Sequence, residues 1–83
     1  MQIEYSDTAQ KQLRKLPKPE RIKVLKKIQL LKEDPYAGKK LMGVFEGLRS
    51  LKAWPYRIIY RYSPTDKLLF INAIEHRQQV YRF

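Results

Sequence analysis

The chain has 83 residues, with 18 lysines and arginines against 8 acidic residues and a formal net charge of +10. This length builds a single modest core, so residues 1–83 are expected to form one domain. The charge favours a polyanionic partner, and the absence of cysteine excludes disulfides and thiolate metal sites. No segment has the roughly 20 apolar residues of a membrane span or a signal-peptide pattern, which predicts a cytoplasmic protein without membrane contact.

The chain begins with a predicted short strand and a predicted short helix. Residues Ile3 to Tyr5 alternate apolar and polar side chains, as a half-buried strand does. Ser6 or Asp7 can cap the helix that follows, because a short side-chain oxygen accepts hydrogen bonds from the free N–H groups of a first turn. Pro17 should end this helix. Its apolar face has three residues at helical spacing: Ala9, Leu13 and Leu16.

A second helix is predicted from Lys18 to about Lys32, since Pro19 is tolerated in a first helical turn and Asp34-Pro35 ends the pattern. An apolar stripe runs along it, and further apolar residues widen the stripe: Val24, Ile28 and Leu31, with Ile22 and Leu25. A face this broad predicts packing against a sheet. The two helices are expected to form an antiparallel hairpin.

Three strands are predicted in the second half of the chain, after a loop from Asp34 to Gly47 that contains three glycines. The strand segments are rich in β-branched, aromatic and aliphatic residues: Leu48 to Ala53, Tyr56 to Tyr62 and Leu68 to Glu75. Turn-like separators make an antiparallel meander the simplest arrangement. The predicted class is therefore α+β, in the order β-α-α-β-β-β, with an antiparallel sheet packed on a two-helix hairpin.

Side-chain alternation divides the middle strand into an aromatic face and a basic face. Tyr56, Ile58, Tyr60 and Tyr62 share the first, which is expected to pack on the helices, whereas the second is free to meet a ligand. No acidic residue occurs from Gly47 to Thr65. Cations interleaved with aromatic rings suit phosphate and base recognition, and the candidates for RNA binding are Arg49, Lys52 and Arg61.

The residue types limit the chemistry that the chain supports. With no cysteine and one histidine, the chain lacks Cys-His pairs and multi-histidine metal sites, and no cofactor or metal is expected. RNA permits cleavage by its own 2′-hydroxyl, which needs positioning, proton transfer and charge neutralisation. The candidates for these tasks are Arg49, Lys52, Arg57, His76, Arg77 and Tyr81. The structural alternatives are a solvated strand edge for Arg49 and Lys52, and a core-capping ring for Tyr81.

Over nearly its whole length the chain resembles the RelE/ParE toxin superfamily. The resemblance rests on an ordered set of features: Asp34-Pro35, Lys40-Leu41-Met42-Gly43, Leu48-Arg49-Ser50-Leu51, Tyr56-Arg57-Ile58-Ile59-Tyr60 and His76-Arg77-Gln78-Gln79-Val80-Tyr81. It implies a β-α-α-β-β-β fold and a toxin held inactive by an antitoxin. In the RelE branch it further implies an endoribonuclease that cuts mRNA in the ribosomal A site.

The same resemblance suggests a catalytic role for each matching residue. Arg57 would hold the scissile phosphate, Arg77 would stabilise the phosphate or donate a proton, and Tyr81 would stack on the base. Active relatives have two lysines on the preceding strand, where this chain has Leu48 and Ser50. Lys52 lies two residues farther on, on the same face of that strand. Either Lys52 would substitute as the base, or His76 would take part, or catalysis is weak.

Three functions remain open at this stage. The leading hypothesis is a ribosome-dependent mRNA endoribonuclease whose partners are mRNA and ribosomal RNA in the A site. The alternatives are a ParE-like DNA gyrase inhibitor without catalysis, and a catalytically inactive family member that only binds antitoxin. All three predict a cognate antitoxin, which should be acidic and should fold on binding, because the toxin is strongly basic.

Overall fold

A computed structural model describes residues 1–77, which form two α-helices, one short 3-10 helix (Gly43–Phe45) and five strands. The sheet order is β1-β5-β4-β3-β2. The helices are α1 (Asp7–Lys15) and α2 (Lys18–Glu33); the strands are β1 (Gln2–Tyr5), β2 (Lys39–Lys40), β3 (Arg49–Ala53), β4 (Tyr56–Ser63) and β5 (Leu68–His76). The α+β class and the predicted order of the longer elements are confirmed. That residues 1–83 form one domain stays a prediction.

Side chains bind the backbone at both ends of α1, and the cap at its start is the one that the sequence predicts. The Ser6 hydroxyl accepts a hydrogen bond from the Ala9 backbone N–H at 2.9 Å, so Ser6 is the cap. At the other end, the Arg21 guanidinium of α2 donates to the carbonyls of Leu13 at 3.3 Å and Leu16 at 3.0 Å. The Leu13 carbonyl also accepts the Leu16 N–H at 3.2 Å, so Arg21 is its second partner, and the Arg21 side chain ties the two helices together.

The sheet is mixed, whereas the sequence predicts an antiparallel one. β1 lies parallel to β5, with Ile3 opposite Leu69, and the other pairs are antiparallel. The alternation of side chains along a strand indicates which face each residue is on, but not whether the strand runs parallel or antiparallel to its neighbour. The parallel pairing of β1 with β5 therefore cannot be recognised in the sequence. The two-residue β2 lies inside the predicted loop and pairs Lys39 with Ser50. β2 is too short to show the alternation of side chains by which a strand is recognised in a sequence.

The core lies between the helices and one face of the sheet. Buried side chains of both helices and of the three longest strands form it: Ala9, Leu16, Val24, Ile28, Leu31, Ala53, Ile58, Tyr60, Leu69, Ile71 and Ile74. The predicted widening of the α2 stripe is wrong, because Ile22 is 44% exposed and Leu25 38% exposed. With about 100° between successive helical residues, Leu25 projects to the flank of the stripe centred on Val24, and Ile22, about 160° away from Val24, projects to the opposite face.

Neither helix in the part of the chain that the structure describes is long and apolar enough to cross a membrane.

Candidate functional site

β4 positions the candidate site because its two faces have opposite environments. Ile58 and Tyr60 are fully buried in the core under the helices. Arg57 and Arg61 point to the opposite side of the sheet, here called the open face, which also includes Lys52 and the buried residues Ser50 and Ile59. The predicted alternation is confirmed: the aromatic side packs on the helices, and the arginine side does not.

A cleft of about 400 Å³ lies on the open face, lined by residues of β4, β3 and the edge strand β2. Lys52 and Arg57 occupy directly opposed positions on neighbouring strands, which brings their Cβ atoms to within about 4.5–5.5 Å of each other. We call this the lysine-arginine cleft; its polar and aromatic lining residues are Lys39, Lys40, Phe45, Ser50, Lys52 and Arg57. The structure therefore brings two of the sequence-predicted site residues together and adds two lysines that the sequence analysis did not single out.

Four cations and no carboxylate line the lysine-arginine cleft among the residues described. Like charges at this spacing repel each other, so the cleft is destabilised until an anion enters it. No ion pair joins Arg57 to a carboxylate within residues 1–77; the ion pair found there is Lys23 with Glu20, at 3.1 Å on α2. The cleft is thus electrostatically suited to a phosphate group.

Glu75 is the carboxylate nearest to the cleft by strand register, because it lies opposite Arg57 on β5. It is 4% exposed, and Gln12 of α1 donates a hydrogen bond to its Oε1 atom at 2.7 Å. The same Gln12 side chain accepts a bond from the Ile74 N–H at 2.6 Å. This network was not predicted from the sequence, where its signal is an acidic residue within a largely apolar strand.

Arg49 lies on the opposite side of β3 from Lys52. Its guanidinium donates to the carbonyls of Tyr36 at 3.3 Å and Gly38 at 2.9 Å, and its carbon lies 5.0 Å from the centre of the Tyr36 ring. Arg49 is paired with Tyr60, whose ring is in the core, which confirms that it faces away from the open face. The structure therefore does not bring Arg49 into the lysine-arginine cleft.

The structure also places His76 away from that cleft. His76 lies opposite Tyr56 in the strand register, and the two rings meet edge to face at 5.5 Å. Tyr56 packs against the core, so His76 points to the helix side of the sheet. Arg57 points to the other side. Of the two residues expected to exchange protons, Lys52 lies beside Arg57 and His76 does not.

The remaining predicted residues lie at the ends of the sheet or beyond the described chain. Arg77 lies 4.8 Å above the Trp54 ring, and its N–H donates to the Pro55 carbonyl at 2.8 Å, so it stands at the β3–β4 turn. Arg61 is on the open face, 5.5 Å from the Phe70 ring, about 13 Å along the strand from Arg57 at roughly 3.3 Å per residue. Tyr81 lies outside the described residues.

Tyr60 anchors the loop that walls the cleft, a function that the sequence analysis did not find. Its hydroxyl donates to the Pro35 carbonyl at 2.8 Å and accepts from the Gly38 N–H at 2.9 Å. Burial raises the pKa of this phenol above its ordinary value of 10.0, which favours the protonated, hydrogen-bond-donating form. A Cβ atom on Gly38 would lie 2.6 Å from the hydroxyl oxygen, which explains the glycine at that position.

No three His, Asp or Glu side chains within residues 1–77 lie close enough together to hold a metal ion.

The sequence from residue 3 to 81 matches the family described as ParE toxin of the type II toxin-antitoxin system, parDE. The chain belongs to this ParE toxin family. It is therefore a type II toxin, as the resemblance to the RelE/ParE superfamily predicts. No curated protein matches the sequence significantly.

Solved structures of related toxins have the same fold as this ParE-family chain. A chain of the RelBE2 toxin-antitoxin complex from Mycobacterium tuberculosis is 27% identical, with a TM-score of 0.84 over 92% of this chain and 96% of that one. The YoeB/ParE toxin from Agrobacterium tumefaciens is 19% identical, with a TM-score of 0.82 over 92% and 98%. A chain of the archaeal RelE-RelB complex from Pyrococcus horikoshii is 24% identical, with a TM-score of 0.79 over 95% and 97%.

Proposed function

We propose that this toxin is a cytoplasmic endoribonuclease that cuts mRNA in the ribosomal A site. The observation that carries the proposal is the direct pairing of Lys52 with Arg57 in a cleft lined by four cations. Such a cleft suits a group whose negative charge increases during reaction. The phosphorane formed when a 2′-oxygen attacks its own phosphate is such a group.

The proposed reaction uses the nucleophile that RNA already contains. The 2′-hydroxyl loses its proton, its oxygen attacks phosphorus, and the bond from phosphorus to the 5′-oxygen breaks. The products are a 2′,3′-cyclic phosphate and a 5′-hydroxyl, which gains a proton. Arg57 would hold the phosphate oxygens, since a guanidinium binds them in a fork. Lys52, next to it, would accept the 2′-hydroxyl proton as a neutral amine and then, as an ammonium group, neutralise the developing charge.

Roles for the other predicted residues follow from their positions. Arg61, on the same open face, would bind a phosphate farther along the message. Arg77, stacked on Trp54 at the end of the sheet, would contact the RNA beside the cleft. Tyr81 is proposed, from the family resemblance alone, to stack on a base at the cut.

Inhibition by a cognate antitoxin is part of the same proposal. The related chains from Mycobacterium tuberculosis and Pyrococcus horikoshii come from toxin-antitoxin complexes. In this chain, α2 leaves apolar side chains exposed among its lysines, with Ile22 at 44%, Leu25 at 38% and Leu30 at 52%. An acidic segment that folds into an amphipathic helix would cover these side chains and neutralise the lysines.

The test is cleavage of a message on purified ribosomes, followed by mapping of the new 5′ ends. The wild-type toxin is expected to cut in the A site. Arg57→Ala should lower the cleavage rate by about 100- to 1000-fold, the usual cost of removing a charge-stabilising donor. Lys52→Ala should lower it as well, whereas Lys26→Ala is the matched control, because Lys26 is an exposed lysine on α2. Intact message at a stoichiometric amount of toxin would exclude the proposal.

The second candidate function is inhibition of DNA gyrase without catalysis, and the match to the ParE family favours it. It differs from the first in its target, so a supercoiling assay separates the two. A catalytically inactive member that only binds antitoxin would fail both assays. Loss of gyrase supercoiling together with uncut message would replace the ribonuclease proposal by the gyrase one.

A further inference from the structure

A second cleft, of about 420 Å³, lies on the helix side of the sheet, under the loop that joins α2 to β3. Its functional groups are two aromatic rings, two cations and one carboxylate: Tyr36, Tyr62, Lys40, Arg49 and Glu46. We call it the tyrosine cleft. It lies outside the site proposed above for the cut itself, and none of the RNA chemistry described so far uses its tyrosines.

The walls of the tyrosine cleft are held in place before any ligand binds. The Tyr36 and Tyr62 rings meet edge to face at 5.3 Å and 88°. The Arg49 guanidinium is fixed between the carbonyls of Tyr36 and Gly38 and lies over the Tyr36 ring. A guanidinium has five N–H donors, so two such bonds leave others for a ligand. Tyr36 is 56% exposed, which is unusual for a large ring and leaves it accessible.

The two clefts meet along a shared wall. Lys40, Leu41 and Met42 line both of them. Met42 is 81% exposed, so the wall forms a ridge at the edge of the sheet and not a buried partition. A single-stranded ligand that leaves the lysine-arginine cleft reaches the tyrosine cleft by crossing this ridge, with Lys40 available to a phosphate on either side.

The chemistry of the two clefts is complementary. The lysine-arginine cleft has four cations and suits phosphate, whereas in the tyrosine cleft Glu46 offsets one of two cations and the stacking surface is aromatic. Aromatic rings and a guanidinium plane bind nucleobases by stacking, and a carboxylate accepts hydrogen bonds from base N–H groups. A phosphate would gain less there than in the first cleft.

We propose that the tyrosine cleft binds a nucleobase of the same RNA strand, one that flanks the phosphate held by Arg57 and Lys52. The inference rests on the proposed RNA substrate but not on cleavage. It assigns the exposed Tyr36 ring, together with Arg49, to the recognition of a base. Arg49 would then bind RNA from the helix side of the sheet, where the structure places it.

The test measures binding and its salt dependence, without ribosomes and without cleavage. A fluorescent hexanucleotide with 2′-O-methyl groups, which cannot be cut, is titrated with toxin, and anisotropy gives Kd at several salt concentrations. Tyr36→Ala should weaken binding by roughly five- to 150-fold, as loss of a stacked base does, with the slope of log Kd against log salt unchanged. Arg57→Ala should weaken binding and reduce that slope by about 0.7, as loss of a phosphate contact does.

Matched variants separate base stacking from a change in fold. Tyr36→Phe keeps the ring and should bind as the wild type does, and Lys26→Ala, on α2, should change binding little. Wild-type affinity for Tyr36→Ala, in a variant with an unchanged melting temperature, would overturn the inference. The inference would also be overturned if Tyr36→Ala bound RNA normally but lost affinity for an acidic antitoxin peptide, because the cleft would then be a protein-docking site. Uncut message on ribosomes would instead count against the ribonuclease proposal alone.

Discussion

The two sides of β4 contrast within a single strand. On the helix side, Ile58 and Tyr60 are fully buried, and the Tyr60 hydroxyl is hydrogen-bonded to the Pro35 carbonyl. On the open face, Arg57 lies opposite Lys52, a pair of like charges that strand pairing alone would disfavour. The residues on the helix side favour a stable fold, whereas the paired like charges on the open face reduce its stability. Such a cost is typical of a surface selected for binding, since native sequences depart from local consistency at functional sites.

The strongest test of this contrast is Ile58→Ala, on the helix side. Truncation of a fully buried isoleucine removes apolar contacts and leaves a cavity, so the free energy of unfolding should fall by about 2–5 kcal/mol. Denaturant unfolding measures it. The control is Arg61→Ala on the same strand, where the exposed side chain predicts a change within about 0.5 kcal/mol. Equal effects of the two changes would contradict the assignment of the faces.

Tyr60→Phe should have the next largest effect, because it removes one donor and one acceptor from the core. The Pro35 carbonyl and the Gly38 N–H would both lose their partner, which costs about 1–3 kcal/mol of unfolding free energy. Thermal or denaturant unfolding gives the value. A change below about 0.5 kcal/mol would mean that water replaces the phenol at both groups.

The same phenol predicts a pH dependence in alkaline solution. Burial raises the pKa of Tyr60 above its ordinary value of 10.0, so the folded protein holds this proton more tightly than the unfolded chain does. The stabilisation is complete below pH 10 and is lost as pH rises through the folded-state pKa. Wild-type stability should therefore fall above about pH 10, and Tyr60→Phe should fall less steeply. Parallel curves for the two proteins would contradict the contribution of Tyr60.

Ser6→Ala tests the start of α1, where one hydroxyl serves two elements. It caps the helix and donates to the Asn72 carbonyl of β5 at 2.6 Å. The expected loss is about 1 kcal/mol, near that of an ordinary helix cap. Ser6→Thr is the matched variant, since it keeps an oxygen in reach, and it should recover most of the loss. No recovery would indicate that the hydroxyl is not the stabilising group.

The smallest and most revealing change is Lys52→Ala, because its expected sign is opposite to the others. Removing one of four clustered cations relieves repulsion, so unfolding free energy should rise by a few tenths of a kcal/mol at low salt. The gain should vanish at about 1 M salt, where charges are screened beyond roughly 3 Å. A clear loss of stability at low salt would mean that Lys52 has a structural partner.

Much of the fold could be predicted from the sequence because its signals are local. Pro17 and Asp34 bound the helices, and alternation along Tyr56 to Tyr62 assigned the two faces of β4 correctly. The parallel pairing of β1 with β5 could not be predicted, since it depends on where the chain returns in space and not on any residue pattern.

The geometry of the candidate site could be predicted only where the pairing of neighbouring strands follows directly from the spacing of residues in the sequence. Lys52 and Arg57 flank a short turn, so their pairing follows from a hairpin. The bulge on β5 interrupts the regular pairing of β5 with β4. Ile59 pairs with Ala73 and Tyr60 with Ile71, so alternation restarts one residue later and His76 emerges on the helix side. Lys39 and Lys40 were missed because their strand, β2, has only two residues.

The contacts of α1 with β5 limit where a further strand can be added to this sheet. The pairing of β1 with β5 ends where Tyr5 meets Ile71, which would leave the next residues of β5 as an open edge. Ser6 and Gln12 close it, by bonding the Asn72 carbonyl and the Ile74 N–H as a further strand would. An added strand, from an antitoxin or from another copy, is therefore directed to the outer edges of β1 and β2. On β2 the two lysines discourage self-association and would admit an acidic strand.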